Sequence, residues 1–288
     1  MTTMASTHTT QHLRRDEGIL GYDVQGEGPL VVLAPGLGDL RSAYRHLAPR
    51  LVHAGYRVAT VDLRGHGDSS TGWPRHTRTD TAEDLLALVR HLGGPAVLVG
   101  ASFAAGSAVI AADREPARVR AVVGLGPGTR KPRVAVRDLN PRFLKGIALL
   151  ATAMTLRSTR MWGRFLRHAN PGPRPDDFDA ALRRTLDNLA EPGRMAAASA
   201  MGMASPADAE AALSRLTRPA LIVMGDLDPD FPDPAKEAEG IARTVPEGPA
   251  PAGARVAMIE GTGHYPHSQV PDRVADALLP FLAEVTDA

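Results

Sequence analysis

Apolar and polar positions fall along this chain in blocks of two kinds. Residues 30–34 (Leu-Val-Val-Leu-Ala) form a continuous apolar run bounded by Gly28-Pro29 and Pro35-Gly36, the pattern of a short strand buried on both faces. Similar runs recur at 56–61, 97–100, 119–125, 220–224 and 255–259, and residues 18–24 read as a further strand before the Gly26–Pro29 turn. Between these runs the spacing changes to that of helices. Leu47 and Leu51 share one face of 41–53; Leu85, Leu88, Val89 and Leu92 share one face of 81–92; Val274, Leu278 and Leu282 share one face of 270–285. Residues 105–112 and 234–244 also read as helix. Strands alternating with helices predict an α/β fold: a mostly parallel central sheet reached by right-handed crossovers, with helices on both faces.

The alternation stops at Gly126-Pro127-Gly128. Over 129–205 no strand is legible, and 144–156, 161–168, 178–189 and 195–203 read as helices broken at Pro171–Pro175 and Glu191-Pro192-Gly193. The expected organisation is therefore a core of 16–128 and 206–288 with a helical cap inserted at 129–205. The insert is rich in methionine, a flexible side chain suited to adaptable apolar surfaces. Met154, Met161 and Met201 are the candidate lining of an apolar substrate pocket beneath such a cap. Residues 1–15 are rich in Thr, Ser and His, carry no apolar core, and read as a disordered tail rather than a signal peptide.

Composition narrows the class of function. Of the 288 residues, 43% are hydrophobic and 23% charged, as in soluble globular proteins, and the formal net charge is only +1, which offers no nucleic-acid surface or polybasic anchor. The 11-residue apolar run at 146–156 is far short of the roughly 20 residues of a membrane span. Cysteine is absent, which excludes disulfides, thiolate metal sites and a cysteine nucleophile, and is compatible with a cytoplasmic location. The histidines lack metal-ligand spacing, and Gly36-Leu37-Gly38 lacks the third glycine of a dinucleotide loop, so no metal or cofactor is expected.

The chemistry concentrates in turns that follow strands. Gly100-Ala101-Ser102-Phe103-Ala104 joins an apolar run directly to a helix, the setting of a nucleophile elbow; the alternative is a plain tight turn with Ser102 capping the helix. Gly225-Asp226-Leu227-Asp228-Pro229 and Gly261-Thr262-Gly263-His264 end two later strands. A serine hydroxyl is a poor nucleophile unless an imidazole takes its proton, and the imidazole needs a carboxylate to orient it and stabilise its charge. The order Ser102, Asp228, His264 supplies all three.

In these motifs the chain resembles the α/β-hydrolase superfamily over residues 18–285. Residues 100–104 resemble its elbow, with Ala104 where the last glycine usually stands; residues 225–229 resemble its acid loop, 261–267 its histidine loop, and 62–69 a further loop of the same family. The resemblance implies that Asp228 is the acid, His264 the base, and the backbone N–H groups of Leu37 and Phe103 the oxyanion hole. One departure is that Pro35-Gly36 replaces the family's frequent His-Gly, leaving the hydrogen bonding of that loop without an account. The implied function is hydrolysis of a small to medium, largely apolar carboxylic ester, thioester or lactone. The alternatives are a carbon–carbon bond hydrolase or cofactor-free haloperoxidase with the same triad, or a non-catalytic small-molecule binding protein. His66 and Asp62 are expected to brace their loop, His267 to pack locally, and Asp226, Asp230 and Asp233 to be solvated turn residues.

Overall fold

The computed structural model describes residues 10–247 and 253–287. Its strands are β1 (Gln11–Arg15), β2 (Gly18–Gln25), β3 (Leu30–Ala34), β4 (Arg57–Val61), β5 (Ala96–Ala101), β6 (Val119–Leu125), β7 (Ala220–Gly225) and β8 (Ala254–Ile259). They form a single sheet in the order β1-β2-β4-β3-β5-β6-β7-β8. The pairs β1–β2 and β2–β4 are antiparallel and the remaining five are parallel. The helices flanking the sheet are α1 (Ala48–His53), α2 (Arg78–His91) and α3 (Phe103–Arg114). Four more, α4 (Pro141–Thr155), α5 (Thr159–Ala169), α6 (Phe178–Ala190) and α7 (Arg194–Met203), lie between β6 and β7. The chain closes through α8 (Ala207–Leu213), α9 (Pro234–Ala242), α10 (Pro266–Gln269) and α11 (Pro271–Asp287).

The apolar runs become central strands because both of their faces are covered. Val31, Leu33, Val97 and Val99 point to one side and pack with Leu51 of α1 and Leu278 and Leu282 of α11. Val32, Leu98 and Val122 point to the other side and pack with Leu85 and Leu88 of α2, Val109 of α3 and Ile241 of α9. The tail expected over 1–15 is corrected at its inner end, since Gln11–Arg15 pair with β2 from Gln11 opposite Tyr22 to Arg15 opposite Gly18. An edge strand can stay mostly polar: Leu13 alone reaches the core, and Tyr22 Oη donates to Gln11 Oε1 at 3.0 Å. The rest of that call, residues 1–9, lies outside the described residues.

Topology decides where a site can form. β3 pairs with β4 on one side and β5 on the other, so the chain winds away from β3 in opposite directions. The loops leaving β3 and β5 therefore part above adjacent strand ends, where Ala34 lies opposite Gly100, and they leave a crevice there. The helices between β6 and β7 have their own apolar cluster, built on Trp162, Phe165, Leu166, Leu182, Leu189 and Met195. That cluster takes in Tyr265 from the loop after β8 and touches Leu37 from the loop after β3, which joins the inserted helices to the crevice.

Candidate active site

The turn between β5 and α3 holds Ser102 at φ 47°, ψ −112°, one of two non-glycine residues with positive φ among those described. Such a conformation costs on the order of 1–3 kcal/mol and persists only where its surroundings enforce it. Here the Ser102 N–H donates to Leu125 O at 2.9 Å, and Ser102 O accepts from the N–H of Gly128 at 3.0 Å. A Cβ on Gly100 would stand 2.4 Å from Ala104 O, so strand and helix can pass only with glycine there. Although Ser102 occupies the cap position of α3, its side chain makes no capping hydrogen bond. The capping alternative therefore fails, and the hydroxyl is left for other work.

The loops after β7 and β8 meet against Gly126, the residue after Leu125 that accepts from the Ser102 N–H. His264 Nδ1–H donates to Asp228 Oδ2 at 2.7 Å, and both residues are buried. The loops are locked together by the Leu227 N–H donating to Thr262 O at 2.9 Å and by the close approach of Gly225 to Gly263 O. The inserted helices hold His264 as well: its backbone N–H donates to Ala169 O, at the end of α5, at 2.9 Å. Tyr265 packs edge-on against the imidazole with centroids 4.9 Å apart. A side chain on Gly126 would come within 3.3 Å of both His264 Nδ1 and Asp228 Oδ2. Asp230 Oδ2 lies 3.6 Å from the other ring nitrogen, Nε2, so the imidazole has a carboxylate at each end. Those two charges hold its pKa above the ordinary histidine value despite burial.

The loop after β3 is fixed by residues distant in sequence. The Gly38 N–H donates to His66 Nε2 at 2.9 Å, and His66 Nδ1–H donates to Arg64 O at 3.0 Å, which sets the tautomer. Burial lowers the His66 pKa to about 4, so the acceptor nitrogen stays free of a proton at neutral pH. On the other side Trp162 Nε1–H donates to Gly38 O at 3.0 Å, and Tyr44 Oη donates to Ala34 O at 2.8 Å. The departure at Pro35-Gly36 is thus resolved: His66 and Trp162 supply the hydrogen bonding of this loop. A Cβ on Gly36 would lie 3.2 Å from Ser102 Cβ, so the loop passes directly over the elbow. Outside helices and strands the Leu37 N–H has no backbone acceptor among the described residues, and the Phe103 N–H, first in α3, has none within its helix.

The sequence pattern of the alpha/beta hydrolase family matches residues 31–277. The chain belongs to that family. A pimeloyl-[acyl-carrier protein] methyl ester esterase of Xanthomonas campestris pv. campestris is 29% identical over 91% of this chain and 98% of its own length. A 2-(acetamidomethylene)succinate hydrolase of Mesorhizobium japonicum is 28% identical, covering 97% of each chain. Among solved structures, a thermophilic esterase of Thermogutta terrifontis superposes with a TM-score of 0.74 at 24% identity, over 96% of this chain and 99% of that one, which speaks for the fold.

Within this alpha/beta hydrolase the remaining candidates sort themselves by position. Met154 and Met201 are buried; Met201 packs in the sheet's core cluster and Met154 within the inserted helices, while Met161 is half-buried at the edge of that second cluster. His267 is fully buried and stacks on Tyr44 at 4.9 Å, and burial lowers its pKa to about 3. Asp62 accepts from the N–H groups of Arg41 at 2.8 Å and Asp68 at 3.0 Å, tying its loop to the one after β3. The reading of three solvated aspartates holds for Asp233, which is exposed, and needs correction for Asp226 and Asp230. Asp233 caps α9 by accepting from the Lys236 N–H at 3.0 Å, and Asp226 and Asp230 each bury one carboxylate oxygen without a hydrogen-bond partner.

Three residues passed over in the sequence also support the site. Trp162 is one. Gln269 is another: its Oε1 accepts from the Gly263 N–H at 2.9 Å and its Nε2–H donates to Pro173 O at 2.9 Å. The third is Arg78, whose guanidinium lies 4.4 Å over the Phe103 ring and donates to Gly128 O at 3.1 Å. No local signal distinguishes any of them from ordinary surface or core residues. One described group could gather around a cation, Asp228, Asp230 and His264, with ligand atoms within 4.8 Å of one another. Two of those three are already hydrogen-bonded to each other.

Proposed function

We propose that this alpha/beta hydrolase is a serine hydrolase in which Ser102 is the nucleophile, His264 the general base and Asp228 the acid that orients it. The observation that carries the reading is the buried 2.7 Å hydrogen bond from His264 Nδ1–H to Asp228 Oδ2; a serine held at positive φ with no side-chain capping bond supports it. His264 Nε2 takes the Ser102 proton as Oγ attacks the substrate carbonyl carbon. The carbonyl oxygen gains negative charge and is met by the N–H groups of Leu37 and Phe103. When the tetrahedral intermediate collapses, His264 returns the proton to the leaving group. Water activated by the same imidazole then hydrolyses the acyl-enzyme and frees Ser102.

The substrate class is a small to medium, largely apolar carboxylic ester, thioester or lactone; Met154 and Met161 on the inserted helices are assigned to its pocket, whereas Met201, expected there from the sequence, packs in the sheet's core cluster instead. Full-length relatives named as an ester esterase and as a hydrolase support an acyl-transfer reaction. No bound cofactor enters the scheme. Incubation with a fluorophosphonate followed by intact-mass spectrometry tests the triad. One adduct mapping to Ser102, lost in Ser102→Ala and strongly slowed in His264→Ala, is the expected result. Absence of any adduct under conditions that label a known serine hydrolase would leave a binding protein in its place.

A further inference from the structure

Asp230 has no part in the mechanism above, yet it occupies the edge of His264 on which that mechanism runs. A triad imidazole uses Nδ1 for its acid and Nε2 for the serine and leaving group. In this chain Asp228 takes Nδ1 at 2.7 Å and Asp230 Oδ2 stands 3.6 Å from Nε2. The backbone places it there: Asp228 Oδ1 accepts from the Asp230 N–H at 2.9 Å, which turns the chain back toward the ring. The Asp230 side chain is 21% exposed, and its Oδ1 is buried without a partner.

The charges around this edge do not balance without an extra proton. Among the described residues, His264 is the sole basic group within 4 Å of either Asp228 or Asp230. Its other titratable neighbours offer no cation: Tyr265 is held well above the ordinary tyrosine range, and His267 is kept neutral by burial. Arg142 of α4 donates to the Asp226 carbonyl oxygen, and Arg45 is engaged with Asp177 at 2.6 Å. Asp39, in the loop after β3, adds a further carboxyl facing Tyr265. Removing the proton from His264 would thus leave a buried and a half-buried carboxylate with no cation between them, which burial disfavours. Burial and the neighbouring Asp228 charge also push the Asp230 carboxyl above its ordinary range, so this proton belongs to the pair of groups rather than to one.

We propose that Asp230 is a positioning residue that holds an extra proton on the catalytic edge of His264, so that the free enzyme must lose this proton before His264 can act as base. The proposal rests on the triad reading given above. It has two consequences. The free enzyme becomes reactive only at pH values above those of an unperturbed histidine, about 6.5. The Asp230 carboxylate also faces the side on which a leaving group takes its proton from Nε2. Leaving groups that carry negative charge meet repulsion there, so the favoured substrates are esters of neutral alcohols.

The experiment measures the fluorophosphonate labelling rate of the full chain from pH 5 to 10 in chelator-treated buffer, for wild type, Asp230→Asn and Asp230→Ser. Wild type is expected to reach half its maximal rate at least one unit above 6.5. Even at an effective dielectric of about 20, a charge 3.6 Å away moves a titration by more than one unit. In both variants the midpoint should fall by at least one unit, giving about fivefold or more faster labelling at pH 6.5. Turnover of p-nitrophenyl butyrate and 4-carboxyphenyl butyrate should show a preference for the neutral leaving group that shrinks in Asp230→Asn. A role confined to loop packing would slow both substrates alike and leave the midpoint in place. A wild-type midpoint at or below 6.5 overturns the proposal without reference to any variant, as does an unmoved midpoint in a folded variant. Failure of wild type to label at any pH refutes the triad reading instead, and with it the proposal's basis.

Discussion

Trp162→Phe tests whether the inserted helices hold the oxyanion loop in place. Trp162 is 1% exposed, stacks on Phe165 at 4.9 Å, and its Nε1–H is the donor to Gly38 O. Phenylalanine keeps most of the stacking surface and removes the donor. Gly38 is itself buried, so its carbonyl oxygen loses this partner at a cost of about 1–3 kcal/mol. The smaller ring also leaves a void, adding about 1 kcal/mol. Together these predict a loss of about 2–4 kcal/mol, or a fall in Tm of roughly 3–7 °C for a chain of this size. The catalytic effect is separate. Gly38 adjoins Leu37, whose N–H is assigned to the oxyanion hole, and deletion of one such donor costs about 10²–10³ in kcat. Loosening it should cost less, about tenfold, and should fall on kcat rather than KM. Phe165→Leu is the control, since it removes the same stacking and leaves the Gly38 hydrogen bond intact. The measurements are thermal unfolding and steady-state hydrolysis of a p-nitrophenyl ester. Equal kcat in Trp162→Phe and Phe165→Leu would refute the coupling of α5 to the oxyanion loop.

Other outcomes follow from the same geometry. Asp228→Asn should lower kcat by roughly a thousandfold or more, because the imidazole loses its orienting acceptor, whereas Asp226→Asn should cost little; reversed effects on one ester would overturn the assignment. Asp62→Ala removes the buried partner of Arg41 and two backbone N–H groups, and should destabilise by about 3–5 kcal/mol, read as a shift of the urea midpoint. Burial pushes the Asp39 carboxyl up to about 6. Its folded pKa lies above the unfolded value of about 3.9, so its contribution is most favourable below about pH 4 and is lost as pH rises through 6. Asp39→Asn should accordingly gain stability relative to wild type between pH 4.5 and 7.5, and a gap independent of pH would count against this reasoning.

Much of the fold was legible because parallel strands buried on both faces must be continuously apolar, and Leu30–Ala34 and Ala96–Ala101 could be little else. The elbow was legible for a steric reason, since Gly100 and Ala104 are the small residues that a strand and helix need to pass each other. What escaped was decided by contacts between distant segments. The polar strand Gln11–Arg15 has no apolar signature because an edge strand need not bury both faces. Helical periodicity identified α7, yet could not say that Met201 would pack against the sheet's core. Trp162 and Gly38 are 124 residues apart, and their hydrogen bond exists only because α5 is carried back over the crevice.

The acid loop shows where a local pattern stops being informative about chemistry. Asp226, Asp228, Asp230 and Asp233 are the same residue type within eight positions, and their composition alone assigns them one character. The fold gives three of them different work through backbone direction. Asp228 reaches Nδ1 of His264, Asp230 is turned back by its own N–H bond to Asp228 Oδ1 and stands at Nε2, and Asp233 caps α9. Asp226 turns a carboxylate oxygen into a buried site with no partner. A second carboxylate beside the triad acid cannot be electrically neutral to it, because each raises the cost of ionising the other unless the imidazole stays charged. The same two-residue spacing that looks like a polar turn in the sequence therefore places a second carboxylate against His264, and on the proposal above that carboxylate sets the proton count of the imidazole.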